Sequence, residues 1–220
     1  MNFLCISNYN NNVDWITDYT NDYIIYDRSD TDEFCKKYNY IKSPNIGYNI
    51  YDIFTFIIEN YENLPEVTTF CKGNIFPRHV TRDRFEQLMN SKILTAIFEP
   101  GLHKPEMPVC MFSCDGQWSE INTSWYMTKT KYFSNYNQFL NFCYKDPILP
   151  KYITFCPGAN YTVPKSNILK YEKTFYENLR YFVSWDQLAT ESHMIERFLY
   201  TMWTCSFKVS ENMKRKIYEK

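Results

Sequence analysis

Apolar residues at 50, 53, 54, 57, 58 and 61 recur at i, i+3, i+4, i+7, i+8 and i+11, which predicts one long amphipathic helix. Asn49, three residues before Asp52, is read as its cap. Asn63-Leu64-Pro65 ends it, because the residue before a proline avoids helical angles. Val67 to Cys71 follows as a buried strand that stops at Lys72-Gly73-Asn74. The stretch Ser43–Asn74 thus reads as a Gly-bearing loop, a helix and a strand opening onto glycine, the geometry of a ligand site in an open α/β sheet.

The pattern before it predicts a compact βαβ unit. Asn2 to Ser7 is a strand, Val13 to Tyr19 a short helix with Trp15 and Ile16 inward, and Tyr23 to Tyr26 a second strand ending at Asp27-Arg28. Both loops then open on one carboxyl edge. Asp30-Thr31-Asp32 has the form of a cation-holding DxD, but Asp30 with Glu33 also forms a capping box leading into Phe34-Cys35, and the cap is the preferred reading. Asp27, at the strand end itself, is the better ligand candidate.

Beyond the central stretch, Arg78 to about Met89 reads as a short helix through Phe85 and Leu88. With Lys72, Arg78, His79, Arg82 and Arg84 it is the most basic local patch, either a solvated helix face or a place to neutralise phosphate. Ala96 to Pro108 reads as loop. Val109 to Cys114 reads as a strand ending at Asp115-Gly116, where an acid beside a glycine is a candidate general base or a plain turn residue. Phe133–Tyr144 is read as helix and Tyr152–Cys156 as strand, running into Pro157-Gly158-Ala159-Asn160-Tyr161. The last third is mainly helical. Ser166 is read as capping a helix with Ile168, Phe175, Leu179 and Phe182 on one face. Ser184 to Gln187 is read as a capping box for the next, with Leu188, Ile195, Phe198, Leu199 and Met202 inward. Glu191, His193 and Glu196 share that helix without i, i+4 Glu/His spacing, so a metal site there is weak and His193 is read as a surface or supporting residue. Glu211–Lys220 is read as a charged helix end or frayed terminus.

Composition narrows the function classes. The 220 residues suit one α/β domain spanning 1–220, and no second composition regime appears. With 24 Lys plus Arg against 25 Asp plus Glu there is no global basic field, which argues against nucleic acid as partner. Twenty tyrosines suit buried rings with hydroxyls at the rims, as in sugar sites, although a coding bias toward AT-rich codons accounts for them as well. The eight cysteines show no CxxC and no zinc-type spacing, which predicts free thiols in a reducing, intracellular (cytoplasmic) setting. No signal-peptide pattern and no apolar run long enough to span a bilayer is found.

Three blocks, CISNYNNNVDWI with YIIYDRSD, the stretch from Ser43 to Phe76, and PGANYTVPKSNILKYEKTFYENL with IERFLYTMW, together resemble short glycosyltransferase-like proteins of GT-A type, including small domains of large algal DNA viruses. The Asn45-Ile46-Gly47 lead-in and the Gly158–Tyr161 turn are the most specific parts. The resemblance implies a Rossmann-like, mixed and mostly parallel sheet flanked by helices, with a nucleotide-binding half at about 1–90 and an acceptor-side half at about 91–220. It implies that Ser7, Asn8, Tyr9, Asp27 and Arg28 hold base and ribose of a UDP-linked donor, and that Asn45, Gly47 and Asp52 face ribose or sugar. The acceptor would be a glycan or glycoprotein, and the setting the host cytoplasm if the protein is viral. Lys72-Gly73-Asn74 stands where such enzymes carry a metal-binding DxD, and no aspartate is present. Either manganese or magnesium is held by a sparser set such as Asp27, Asn74 or His79, or Lys72 and Arg78 offset the diphosphate charge themselves. Asp115, ahead of Glu191, is the expected base for an inverting transfer. A non-catalytic nucleotide- or sugar-binding module on the same fold is the alternative.

Overall fold

The computed structural model describes residues 2–99, 102, 109–112, 118–119 and 130–219. The first strand, β1 (Phe3–Asn8), is followed by a single 3-10 turn at Asp14–Asp18 that buries Trp15 and Ile16 as expected, and then by β2 (Tyr23–Asp27). Next come β3 (Tyr40–Lys42), α1 (Tyr48–Glu59), β4 (Val67–Lys72) and α2 (Arg82–Met89). The chain continues through β5 (Thr95–Ala96), β6 (Val109–Phe112), β7 (Trp118–Ser119), α3 (Tyr136–Cys143), β8 (Tyr152–Thr154) and β9 (Tyr161–Pro164). It closes with α4 (Lys165–Ile168), α5 (Lys173–Val183) and α6 (Thr190–Thr204), so the C-terminal part is helical.

Six strands form the main sheet in the order β3-β2-β1-β4-β9-β5. The first four run parallel, and β9 runs antiparallel to both β4 and β5. This is the expected α/β architecture, mixed and mostly parallel. Its consequence for function is geometric: β1, β2, β3, β4 and β5 all bring their carboxyl ends to one edge, and antiparallel β9 begins there. The chain leaves β1 toward β2 and returns on its other side as β4, so a crevice lies outside the ends of these two strands.

Each face of the sheet is covered. On one, α1, α3, α5 and α6 pack around Phe54, Phe56, Phe70, Phe139, Leu179, Phe198 and Trp203. On the other, a smaller layer gathers Leu4, Ile6, Trp15, Ile16, Ile25, Cys71, Phe85 and Met89. Strand alternation sorts residues between them. Phe3 and Cys5, Ile24 and Tyr26, and Phe70 face the helical layer, while Leu4 and Ile6, Ile25, and Cys71 face the other. Because α1 is clasped between the sheet and α5 and α6, it buries Asn49, Asp52 and Thr55 along with its apolar face.

Several local expectations are corrected. Asn49 lies inside α1 and caps nothing. The N-cap is Gly47, whose left-handed φ of 59° is available to glycine without cost. Asp30–Glu33 opens a turn rather than a helix, its bonds running from Cys35 and Lys36 N–H to the Asp32 carbonyl. The basic helix begins at Arg82 instead of Arg78, and the helix expected from Phe133 begins at Tyr136, where Asn135 accepts a cap bond from Gln138 N–H. The single helix expected after Ser166 is two, α4 and α5, with a break at Leu169–Glu172. Asp186 accepts from Leu188 N–H in a local turn, so α6 starts only at Thr190 and Leu188 is exposed rather than inward. The expected strands at Val109–Cys114 and Tyr152–Cys156 do exist, but as β6 and β8 of a separate antiparallel sheet ordered β7-β6-β8. Strands β3, β5 and β9 had no sequence expectation.

Candidate functional site

At the carboxyl edge the same alternation divides the chemistry. Ser7, Arg28 and Lys72 continue the rows that face the helical layer; Asn8, Asp27 and Gly73 continue the opposite rows.

On the helical side, Asp52 of α1 is the centre, only 1% exposed. The hydroxyl of Ser43 donates to its Oδ1 at 2.5 Å, that of Ser7 donates to Oδ2, and Arg28 Nε lies 3.1 Å from Oδ2 as an ion pair. Burial pushes its carboxyl up to about 6, against the pull of Arg28, Ser43 and Ser7 and with a smaller push from Asp27. No hydrogen bond is donated by the Arg28 guanidinium, itself 9% exposed, to any described residue.

Lys72 is the second cation of this side. Its backbone N–H donates to Asn160 Oδ1 at 3.1 Å, while its ammonium makes no hydrogen bond among the described residues. Burial brings its side chain down to about 8. The carboxylate of Glu196 works against that shift, and Arg78 and Arg28 add to it. Glu196 on α6 accepts from Gly158 N–H at 2.6 Å and pairs with Arg197, whose guanidinium stacks 4.3 Å from the centre of the Phe155 ring. Burial alone would raise this carboxyl, but Arg197, Lys72, His193 and the Gly158 N–H together hold it below the usual range.

Two turns frame the cluster, and both are strained. Gly47-Tyr48 has φ values of 59° and 52°, and Gly158-Ala159 has 82° and 54°, so each pairs a glycine with a side-chain-bearing residue in the left-handed region. Asn49 Nδ2 ties one turn to the other through the Gly158 carbonyl at 2.9 Å. The Tyr48 ring lies 5.1 Å from that of His193, which is buried here rather than on the surface. His79 is buried with its ring against Gly158, where an added Cβ would meet it at 2.7 Å.

On the opposite side, Asp27 is fully buried and saturated. Its Oδ1 accepts from the Ser29 hydroxyl at 2.6 Å, from Ser29 N–H at 3.3 Å and from Asn8 at 3.4 Å, and its Oδ2 pairs with Lys42 at 3.3 Å. Asn8 Oδ1 presses on Gly73, where any Cβ would come within 2.2 Å. Beyond these residues opens a cleft of about 390 Å³ lined by Asn11, Asn12, Asp14, Trp15, Gly73, Asn74, Phe76 and Arg82. Trp15 and Phe76 meet edge to face at 5.1 Å, and Trp15 Nε1 is fixed by the Gly73 carbonyl.

Of the residues expected from sequence, Ser7, Arg28, Asp52 and Lys72 are therefore brought together, and Gly47 forms the turn beside them. Asn8 and Asp27 stand on the other face. Tyr9 and Arg78 are exposed and Asn45 is half-buried, and their side chains make no hydrogen bond among the described residues. Glu191 has both oxygens engaged: Oε1 accepts from the N–H groups of Lys131 and Tyr132 at 2.7 Å each, and Oε2 from the Trp185 indole at 3.1 Å. Asp115 lies outside the described residues; β6, the strand that precedes it, belongs to the smaller sheet and not to this edge. The set Asp27, Asn74 and His79 does not fit a divalent ion. Asp27 is already neutralised by Lys42, and β1 separates it from β4, which leads to the other two. Among the described residues no group of three or more His, Cys, Asp or Glu side chains is placed to hold one.

Sequence reading assigned no site role to Ser43, Tyr48, Asn49, Asn160, Glu196 and Arg197, and took His193 as a surface or supporting residue. The available signal was charge inside an apolar helix: Glu196-Arg197 sits between Ile195 and Phe198, both of which are buried. No helix of the described residues is long and apolar enough to cross a membrane. No curated protein and no solved structure matches the chain significantly. A match does extend over residues 4–219, nearly the whole length, and the chain accordingly belongs to the family described as "Protein of unknown function (DUF3431)".

Proposed function

We propose that the chain is a nucleotide-sugar-dependent glycosyltransferase, moving a hexose or deoxyhexose from a UDP-linked donor to a glycan or glycoprotein acceptor. The observation that carries the reading is the pair of cations, Arg28 and Lys72, drawn to the crevice edge of a parallel sheet with charged groups that donate no hydrogen bond to any described residue. Desolvated cations are costly unless a charge answers them. Asp52 and Glu196 answer these only in part, and a diphosphate would complete the set. As the donor's glycosidic bond breaks, negative charge grows on the departing nucleoside diphosphate, and Lys72, Arg28 and the exposed Arg78 would stabilise it without a metal ion. The neighbouring cleft, with Trp15 and Phe76 as walls and three asparagine amides, would take a ring of the donor. Asp115 is the proposed base that accepts the acceptor hydroxyl's proton; Glu191, its oxygens already engaged, is better suited to hold the 131–132 segment.

Calorimetric titration with nucleoside diphosphates and nucleotide sugars, with and without manganese, followed by a donor-hydrolysis assay, tests the reading. Binding is expected without manganese, and failure to bind any of them overturns the proposal. Asp115→Asn is expected to abolish transfer while leaving donor binding intact. A non-catalytic binding module is the second reading, favoured by the absence of a free carboxylate among the described site residues, and binding without hydrolysis or transfer would select it.

A further inference from the structure

Far from the crevice in sequence, the segment joining α3 to β8 carries an unusual surface. Ile148 is 79% exposed, Leu149 43% and Tyr152 64%, so two adjacent aliphatic side chains of one short loop, and the tyrosine that opens β8 just after it, stand clear of the body. The loop is anchored on either side, by the buried Pro147 and by Ile153, which pairs with Cys110 in the small sheet. Its exposed tip is therefore held outward and does not collapse onto the core.

Among the described residues, lysines outnumber acids around the tip. Lys145 and Lys151 flank it and are exposed, and Lys208 is brought alongside by the bond from Lys145 N–H to the Lys208 carbonyl at 2.8 Å. Asp146 is the acid of the loop. Glu211, further along from Lys208, is engaged by Lys214 at 2.5 Å. Aliphatic tip, aromatic shoulder and lysine collar together match the layering of a bilayer interface: hydrocarbon takes the aliphatics, the headgroup level takes a tyrosine ring, and anionic headgroups attract lysine.

We propose that the 145–152 loop is a peripheral anchor that seats Ile148 and Leu149 in the interface of an anionic lipid bilayer, with Lys145, Lys151 and Lys208 on the headgroups. An apolar tip and a basic collar are two weak signals that act together, so the attachment is reversible and depends on salt. It is independent of the reaction carried out in the crevice.

The full chain is to be floated with vesicles of phosphatidylcholine alone and with vesicles that also contain phosphatidylserine. Binding is expected only to the second kind, weakening as salt rises. Replacing each lysine by alanine is expected to lower the partition coefficient by about fivefold. The double substitution Ile148→Glu with Leu149→Glu is expected to abolish binding with an unchanged melting curve, since both positions are exposed. Ile148→Trp is expected to shift its emission to the blue on adding the anionic vesicles. Absence of binding, binding that ignores these substitutions, or a concentration-dependent dimer that Ile148→Glu disperses and that binds no vesicle would each overturn the proposal.

Discussion

Asp52 and Lys72 titrate away from the pH values that water alone would set, and each gives the site a pH signature. For Asp52 the folded carboxyl titrates at about 6 against an ordinary 3.8, so between these values the native chain keeps a proton that the unfolded chain has released. Stability therefore falls as pH rises through that window, by roughly 2–3 kcal/mol from this group. Asp52→Asn is expected to remove that slope, measured as urea stability at a series of pH values. Lys72 has the opposite sense. Its ammonium titrates at about 8 instead of 10.5, so stability rises with pH between those values, while affinity for an anion falls above 8 as the charge is lost. Lys72→Met is expected to weaken nucleoside diphosphate binding at least ~10-fold at neutral pH, on the scale of a lost charged hydrogen bond, and to flatten the dependence on pH. A loss of affinity at neutral pH that leaves the pH dependence in place would assign the alkaline limb to another group.

Elements were legible in proportion to their length and to the evenness of their pattern. Helix α1 and strands β1, β2 and β4 are long apolar runs, and the sequence locates each of them. Strands β3, β5 and β9 have three, two and four residues, too few for an alternating pattern to stand out, and β9 is hidden behind its Pro157-Gly158 turn. Helix starts were misplaced where a capping-type side chain found a partner other than the helix end. Asp186 bonds the nearby Leu188 N–H, and Asn49 reaches across to Gly158, so capping-type residues at both places serve a turn or a distant loop. At the true start of α1, a Cβ on Gly47 would sit 2.6 Å from the Val183 carbonyl oxygen, in addition to the strain of its left-handed φ. Gly47→Ala is expected to cost about 2–4 kcal/mol and to loosen α1 from α5, read from chemical denaturation and from amide exchange in residues 48–51.

Across the whole molecule, what the sequence could not supply was the sorting of neighbours. Parallel strands placed Ser7, Asn8, Asp27, Arg28 and Lys72 at one edge in advance. Which of them share a face follows only from register, since Asn8 is paired with Asp27 and Ser7 with Lys72. Partners contributed by α6 and by the Gly158 turn are more than eighty residues away from Lys72 in sequence, and no local pattern reports them. The same long reach ties down the C-terminus. Asn178 on α5 donates to the Met213 and Arg215 carbonyls and accepts from Ile217 N–H, while Met213 is buried. Asn178→Ala is expected to destabilise the chain by about 1–3 kcal/mol and to make residues past 210 the first site of proteolytic cleavage.

The cysteines give this two-layered body a built-in clock. Cys35 and Cys71 lie in the smaller layer and Cys143 and Cys156 in the helical one, all as buried free thiols. Each can react with a thiol reagent only when its own layer opens, so the rate of labelling under native conditions times the opening of one layer against the other. If the sheet locks the two layers into one cooperative unit, all four thiols become reactive together. Earlier labelling of Cys35 and Cys71 would reveal the smaller layer as a separately breathing half.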